Sequence, residues 1–317
     1  MRIVFMGTPE FAVPCLDILV KNNYEVVGVV TMPDKPAGRG QQIQQSAVKK
    51  YALLHGLKIL QPEKLKSEEF INELKSLNAD IQIVVAFRML PEAVWNMPPK
   101  GTYNLHASLL PQYRGAAPIN WALINGETET GVTTFKLQHE IDTGNILFQQ
   151  KVTLNENTTT GELHDTLMEV GAKLILKTVE AIDTNTIQLQ EQTKFISTSN
   201  ELKHAPKIFK ETCKINWNET PEFIHNLIRG LSPYPTAWTE ILVNNTPHLV
   251  KIFSSSKENS NHNLTTGTCI SDNKTYLKVA CKNGFIHINE LQLAGKKRLN
   301  IIEFLKGFVF KEGYMFR

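Results

Sequence analysis

MRIVFMGTPEFAVPCLDILVKNNYEVVGVVTMPD, residues 1–34, runs strand, helix, strand in quick succession. Residues 2–6 are a short apolar run closed by Gly7-Thr8-Pro9, the pattern of a buried strand entering a turn. Phe11, Val13, Leu16, Leu19 and Val20 then recur at helical spacing. Val26 to Val30 make a second strand, halted at Met32-Pro33-Asp34. Outward from this stretch the alternation continues. Residues 45–55 read as helix, 58–60 as a brief strand, 67–77 as helix and 80–86 (DIQIVVA) as another buried strand. Such alternation implies a parallel sheet covered by helices on both faces, an α/β doubly wound, Rossmann-like domain. Strands near 102–106, 131–137 and 145–152, and a helix over about 160–182, complete a first domain expected to span 1–185.

The pattern changes after residue 185. Residues 186–206 lack helical periodicity and read as an extended linker. From Lys207 to Arg317 one helix stands out, about 219–230, opening with Thr220-Pro221. Short strands follow at 237–243, 247–253, 265–271, 275–281 and 284–292, which predicts a small β-barrel of OB-like type. The Asn- and Ser-rich stretch 254–264 reads as a surface loop. A chain of 317 residues exceeds one typical core, in keeping with two domains.

Composition narrows the function classes. The net charge of +3 announces no nucleic-acid partner by itself, and its distribution says more. Residues 1–205 carry about 19 basic and 22 acidic side chains, and 206–317 about 15 and 9. Such asymmetry hints at a polyanion, although a merely solvated surface has the same signature. Cys15, Cys213, Cys269 and Cys281 form no CxxC pair, so a reduced protein without a metal is expected. The N-terminus reads as a strand rather than a signal peptide, and no window reaches the roughly 18–20 apolar residues of a membrane span. A cytoplasmic protein with no membrane partner is expected. The first turn, Gly7-Thr8-Pro9-Glu10, lacks GxGxxG, which argues against a dinucleotide-binding oxidoreductase.

Ligands of open α/β sheets bind beyond the carboxyl ends of the strands, where Thr102-Tyr103-Asn104-Leu105-His106 ends. Asn104 and His106 are two apart and share one face of that strand. Asp142, in Ile141-Asp142-Thr143-Gly144, follows a strand whose end can neighbour the first. An amide, an imidazole and a carboxylate suit acyl transfer. Attack on a carbonyl creates an oxyanion that wants donors from Asn104 and His106, while Asp142 holds or relays a proton. A carboxylate nearby favours the charged imidazole. Spacing alone leaves open that Asn104 and His106 are a satisfied polar pair.

The segment Asn104-Leu105-His106-Ala107-Ser108-Leu109-Leu110-Pro111, then Tyr113-Arg114-Gly115 and Asp142-Thr143-Gly144, resembles the folate-dependent formyltransferase family. The resemblance implies that Asn104, His106 and Asp142 are the catalytic trio. It also implies that Ser108, Leu109, Leu110 and Pro111 line the site of 10-formyltetrahydrofolate, the formyl donor. Phe87, Met89 and Leu90 would wall the pteridine pocket with Gln138 to Ile141; as residues alone they read equally as core at a strand end.

The resemblance runs from Met1 to the C-terminus and is closest to the branch whose acceptor is initiator methionyl-tRNA. Phe5-Met6-Gly7-Thr8-Pro9-Glu10-Phe11 matches it, as does the loop Pro33-Asp34-Lys35-Pro36-Ala37-Gly38-Arg39-Gly40, whose Arg39 is an implied tRNA contact and whose Lys35, adding positive charge, is a candidate one. The prolines of that loop limit its freedom and its glycines admit a close backbone approach. Ile215-Asn216-Trp217, Pro233-Tyr234-Pro235-Thr236-Ala237-Trp238 and Leu291-Gln292-Leu293-Ala294-Gly295 match the family's C-terminal barrel. There Lys207, Lys210, Lys296, Lys297 and Arg298 are candidate phosphate contacts that position tRNA rather than select it. A monomer is expected. Three departures stand out. Ala47 replaces a frequent proline and is expected to loosen its helix start, Phe87-Arg88 replaces tyrosine-glycine, and His139-Glu140-Ile141 replaces an acidic-glycine-leucine run. The rival readings are a formyltransferase for an amino sugar nucleotide, a hydrolase of the folate donor, and an RNA-binding protein with an inert catalytic domain.

Overall fold

Burial on both faces turns the apolar runs of the first half into one sheet. The computed structural model describes residues 1–37, 42–196, 201–243 and 246–317, which divide into two units. The first holds Met1–Gly115, Glu129–Thr153 and His164–His204; the second holds Ala116–Thr128, Leu154–Leu163 and Ala205–Arg317. The first half of the chain supplies strands β1 (Arg2–Gly7), β2 (Glu25–Val30), β3 (Lys35–Ala37), β4 (Gln42–Gln44), β5 (Ile59–Leu60), β6 (Ile81–Val85), β7 (Thr102–His106), β8 (Arg114–Gly115), β9 (Glu129–Lys136) and β10 (Ile146–Thr153). Its helices are α1 (Val13–Lys21), α2 (Ala47–Leu54), α3 (Glu68–Ser76), α4 (Glu92–Trp95), α5 (Pro118–Ile124) and α6 (Thr160–Asp183).

Seven strands of the first unit pair in the order β10-β9-β7-β6-β1-β2-β5. β1, β2, β5, β6 and β7 are parallel, whereas β9 runs antiparallel to β7 and β10 antiparallel to β9. The sheet is therefore mixed, a correction to the all-parallel expectation. A run such as Val132 to Phe135 is buried whichever way it points, so composition carries no direction. The strand order reverses beside β1, with β2 and β5 on one side and β6 and β7 on the other. That reversal puts a ligand-binding crevice at the carboxyl ends of β1, β6 and β7. Gly7 ends β1 there, and a Cβ on it would lie 2.7 Å from the Ala12 side chain, so only glycine lets the turn close.

The expected loose start of α2 is not found. Ser46, in extended conformation, caps it by accepting a hydrogen bond from the Lys49 amide at 3.0 Å. Gln190 pairs with Ile146, and Gln192–Phe195 form a 3-10 turn within the first unit.

After β11 (His204–Ala205), the second unit holds α7 (Pro221–Leu231), β12 (Ala237–Val243), β13 (Thr246–Asn259), β14 (Cys269–Ser271), β15 (Leu277–Cys281), β16 (Gly284–Leu293), β17 (Leu299–Asn300) and α8 (Ile301–Leu305). They form a curled antiparallel sheet in the order β12-β13-β16-β15-β14, with β17 on β16. Ile224, Leu227, Ile228 and Leu231 of α7 share one buried cluster with Ile241, Ile252 and Ile286 of that sheet and with Trp217, which precedes the helix. The terminal residues bond to two strand edges. Arg317 and Glu240 of β12 exchange backbone hydrogen bonds of 2.9 and 3.1 Å, and the Cys269 amide of β14 donates to the Tyr314 carbonyl at 3.0 Å. β13 continues through residues 254–259, expected as loop. Its Ser255 points inward and bonds His225, so a polar composition concealed a paired strand.

Among the described residues no helix is long and apolar enough to cross a membrane, and no group of three or more His, Cys, Asp or Glu side chains could hold a metal.

Candidate active site

β7 carries Asn104 and His106 toward the crevice. Asn104 is flanked by Val84 of β6 and Phe135 of β9, and His106 by Thr133 of β9. His106 is buried, and its Nε2 donates to the Tyr113 carbonyl at 2.8 Å. A carbonyl only accepts, so Nε2 carries the proton. The other ring nitrogen, Nδ1, faces Asp142, whose Oδ2 lies 3.8 Å away. That gap is too long for a hydrogen bond and short enough for a strong field. The Asn104 carboxamide is half-buried and makes no hydrogen bond among the described residues. The three predicted residues thus share a strand end and one facing loop, with an unused amide and an imidazole nitrogen without a hydrogen bond.

Asp142 sits in a left-handed backbone conformation, φ 55°, which aspartate tolerates better than most residues. Its Oδ2 accepts from the Gly115 amide at 3.0 Å. Within the same loop Gln138 donates to Thr143 Oγ1 at 2.8 Å, and Thr143 donates to the Glu140 carbonyl at 3.0 Å. Gly144 closes the turn against β9, where a Cβ would fall 1.7 Å from the Lys136 carbonyl oxygen. This close approach accounts for the glycine of Asp142-Thr143-Gly144.

Sequence reasoning missed Gln192. It is only 4% exposed, and its Nε2 donates to the carbonyls of Asp142 at 2.8 Å and Gly144 at 2.9 Å. Its Oε1 accepts from Arg114 Nε at 3.0 Å and Nη2 at 2.6 Å. A glutamine in an aperiodic polar stretch gives no signal in one sequence.

The segment 108–111 is held by a dense set of bonds. Ser108 Oγ donates to the Gln112 carbonyl at 2.6 Å, and Thr133 Oγ1 donates to the Ser108 carbonyl at 2.6 Å. The Leu110 amide donates to Thr133 Oγ1 at 3.1 Å, and Gln149 donates to the Leu110 carbonyl at 2.7 Å. Ser108, Leu110 and Pro111 are buried, with the Leu110–Pro111 peptide cis; Leu109 is half-exposed. Leu90 lies in the core, Phe87 packs against that core, and Met89 is 77% exposed. Ile141 is likewise 62% exposed. Arg88 donates to the Glu63 carbonyl at 2.9 Å and to that of Pro62, with its guanidinium over the Phe87 ring.

Lys35 is exposed on β3, which pairs with β4 as a hairpin. Arg39 lies outside the described residues. The hairpin's base is tied down: Asp34 accepts from Lys49 at 2.5 Å and from Gln61 at 2.9 Å. These bonds hold the Asp34 carboxyl below its ordinary range, the Lys49 bond first. In the second unit Lys207, Lys296 and Lys297 are exposed and make no ion pair among the described residues. Arg298 is engaged by Glu290, with Nε to Oε1 at 2.7 Å, and stacks over Phe253.

Comparison with known proteins now adds names. The family model described as "Formyl transferase" matches residues 1–179, and "Formyl transferase, C-terminal domain" matches residues 207–309. A methionyl-tRNA formyltransferase of Bacteroides thetaiotaomicron is 56% identical over 315 residues, covering 99% of this chain and 98% of that protein. That of Phocaeicola vulgatus is 57% identical, covering 97% of this chain and 96% of its own, and that of Flavobacterium johnsoniae is 51% identical, covering 98% of each. Among solved structures, the sugar 3N-formyl transferase WlaRD superposes with a TM-score of 0.66 at 22% identity, over 94% of this chain and 99% of its own. HypX of Aquifex aeolicus in complex with tetrahydrofolic acid gives 0.63 at 16% identity, over 99% of this chain and 50% of its own. At these identities the structures speak for the fold alone.

Proposed function

The chain belongs to the formyl transferase family, and from that premise we propose how its site works. The protein transfers the formyl group of 10-formyltetrahydrofolate to the amino group of methionyl-initiator tRNA, in support of translation initiation. The amine nitrogen attacks the formyl carbon, forming the new C–N bond while the carbonyl electrons move onto oxygen. The Asn104 carboxamide donates to that oxygen, joined by His106 through Nδ1 when the ring carries a second proton. Asp142 steadies the charged ring. Its carboxylate takes the proton from the attacking amine and delivers it to the folate nitrogen as that C–N bond breaks. The products are formyl-methionyl-tRNA and tetrahydrofolate, with atoms and charge balanced.

One observation carries this reading: an amide and an imidazole Nδ1, neither hydrogen-bonded among the described residues, meet a carboxylate at the end of β7. The exposed Met89 and Ile141 suit the apolar faces of a pteridine, and the segment 108–111 borders the same strand. For the acceptor, Lys35, Arg39, Lys207, Lys296 and Lys297 contact tRNA phosphates, with a smaller contribution from Arg298 because Glu290 already pairs it. We further infer an OB-like barrel over 207–317, supported by the terminal residues bonding to two strand edges, after a catalytic domain over 1–185 and a linker over 186–206. The protein works as a monomer in the cytoplasm.

The test offers 10-formyltetrahydrofolate with charged initiator tRNA or with an amino sugar nucleotide and measures formylated acceptor. Formyl-methionyl-tRNA is the expected product; turnover of the sugar nucleotide alone would overturn the reading.

A further inference from the structure

We propose that Arg114 and Gln192 form a clamp that holds Asp142 in its working position, making both positioning residues for formyl transfer. The inference rests on the role given to Asp142 above.

Asp142 needs outside support, because its left-handed backbone is less favourable than the usual regions and its loop is otherwise exposed from Gln138 to Ile141. Gln192 supplies that support at two points. Its two N–H groups bridge the carbonyls of Asp142 and Gly144, either side of Thr143, so the turn cannot open without breaking both bonds. A glutamine amide can rotate and exchange its oxygen for its nitrogen. Arg114 removes that freedom, since its two N–H groups converge on Oε1 and leave only Nε2 to face the loop. The next residue, Gly115, donates its amide to the Asp142 carboxylate. The strand β8 therefore grips Asp142 twice: directly on the side chain, and through Gln192 on the backbone. Gln192 is almost wholly buried, and its bond to the Gly144 carbonyl is made away from competing water. Neither residue faces His106 within bonding distance, which separates positioning from catalysis.

Catalytic groups displaced by about 1 Å lose on the order of 10²-fold in rate. Gln192→Ala is accordingly expected to lower kcat by about 10–100-fold, with KM for both substrates within about twofold. Gln192→Glu keeps the partner of Arg114 but turns a bare oxygen toward two carbonyls, and is expected to lose as much. Arg114→Lys keeps the charge without the convergent fork and is expected to lose less than either. The double variant Arg114→Ala/Gln192→Ala is expected to match Gln192→Ala, because the two act in series. His106→Ala, measured alongside, reports on the site itself. If it is inactive while the Gln192 and Arg114 variants keep native kcat, or change only KM, the clamp is overturned and the site stands. If His106→Ala keeps native kcat, the site reading falls first. Should Gln192→Ala yield no folded protein, Arg114→Lys decides, and native kcat in it overturns the clamp.

Discussion

Two buried histidines, one in each unit, have nearly the same first bond and opposite meanings. His106 Nε2 donates to the Tyr113 carbonyl, and His225 Nε2 lies 3.2 Å from the Glu156 carbonyl. The difference is the second nitrogen. His225 Nδ1 meets the Ser255 hydroxyl at 3.1 Å, so its ring is saturated by neutral groups. His106 Nδ1 faces the Asp142 carboxylate across 3.8 Å, and among the described residues neither it nor the nearby Asn104 amide makes a hydrogen bond. The neighbours follow suit. Around His225, Arg229 donates to Asn226 at 2.7 Å and to the Asn155 and Thr158 carbonyls, so the polar groups of α7 hold the 154–163 segment. One region uses its polar groups to close a structure, the other keeps them open for a reaction. Residue type does not separate the two; unmet bonding capacity does.

The largest effects should break along that line. His106→Ala is expected to cut kcat by at least about 10²–10³-fold, the cost of one oxyanion donor, and to leave the thermal midpoint nearly unchanged. Rate loss that merely tracked unfolding would put His106 in the same class as His225. The reverse holds for α7. Arg229→Ala leaves the buried Asn226 Oδ1 without its donor and is expected to cost about 1–3 kcal/mol in denaturant unfolding, with kcat of the folded enzyme unchanged. A fall in kcat without loss of stability would erase the contrast.

The same contrast explains what a reader of the sequence can see. The strands at 2–6 and 80–86 were legible because apolar runs report burial, and Asn104 with His106 because a period of two puts them on one face. The direction of β9 and β10 was not legible, since burial on both faces is blind to it. Ser255 hid β13 because its hydroxyl is satisfied by His225, a residue 30 positions away. Gln192 was hidden for the same reason: its meaning lies in two carbonyls and a guanidinium brought to it by the fold. Long-range polar satisfaction is the part of the site that a single sequence does not encode locally.

A smaller effect concerns pH. Burial, aided by the Arg229 and Lys257 charges, holds the His225 imidazole below its ordinary 6.5, against the opposing Glu156 carbonyl and Glu222 carboxylate. The folded state therefore binds its proton less readily than the unfolded chain. Above about pH 6.5 neither form is charged and His225 adds no pH dependence; below it the unfolded chain gains a proton first and stability falls. Unfolding midpoints measured between about pH 5 and 8 should show this decline, and His225→Gln should flatten it. An unchanged slope in that variant would mean that other groups set the acid limb.

The smallest effect belongs to the outermost pair of the same network. Lys257 bridges Glu156 and Glu222 with most of both carboxylates in solvent, where a charged pair gains little over hydration. Lys257→Gln is expected to lower the thermal midpoint by about 2 °C or less, and that loss should fade in about 1 M salt, where charges are screened within about 3 Å. A larger, salt-resistant loss would place Lys257 among the buried polar groups that close the structure, and the boundary of the His225 region would move outward to include it.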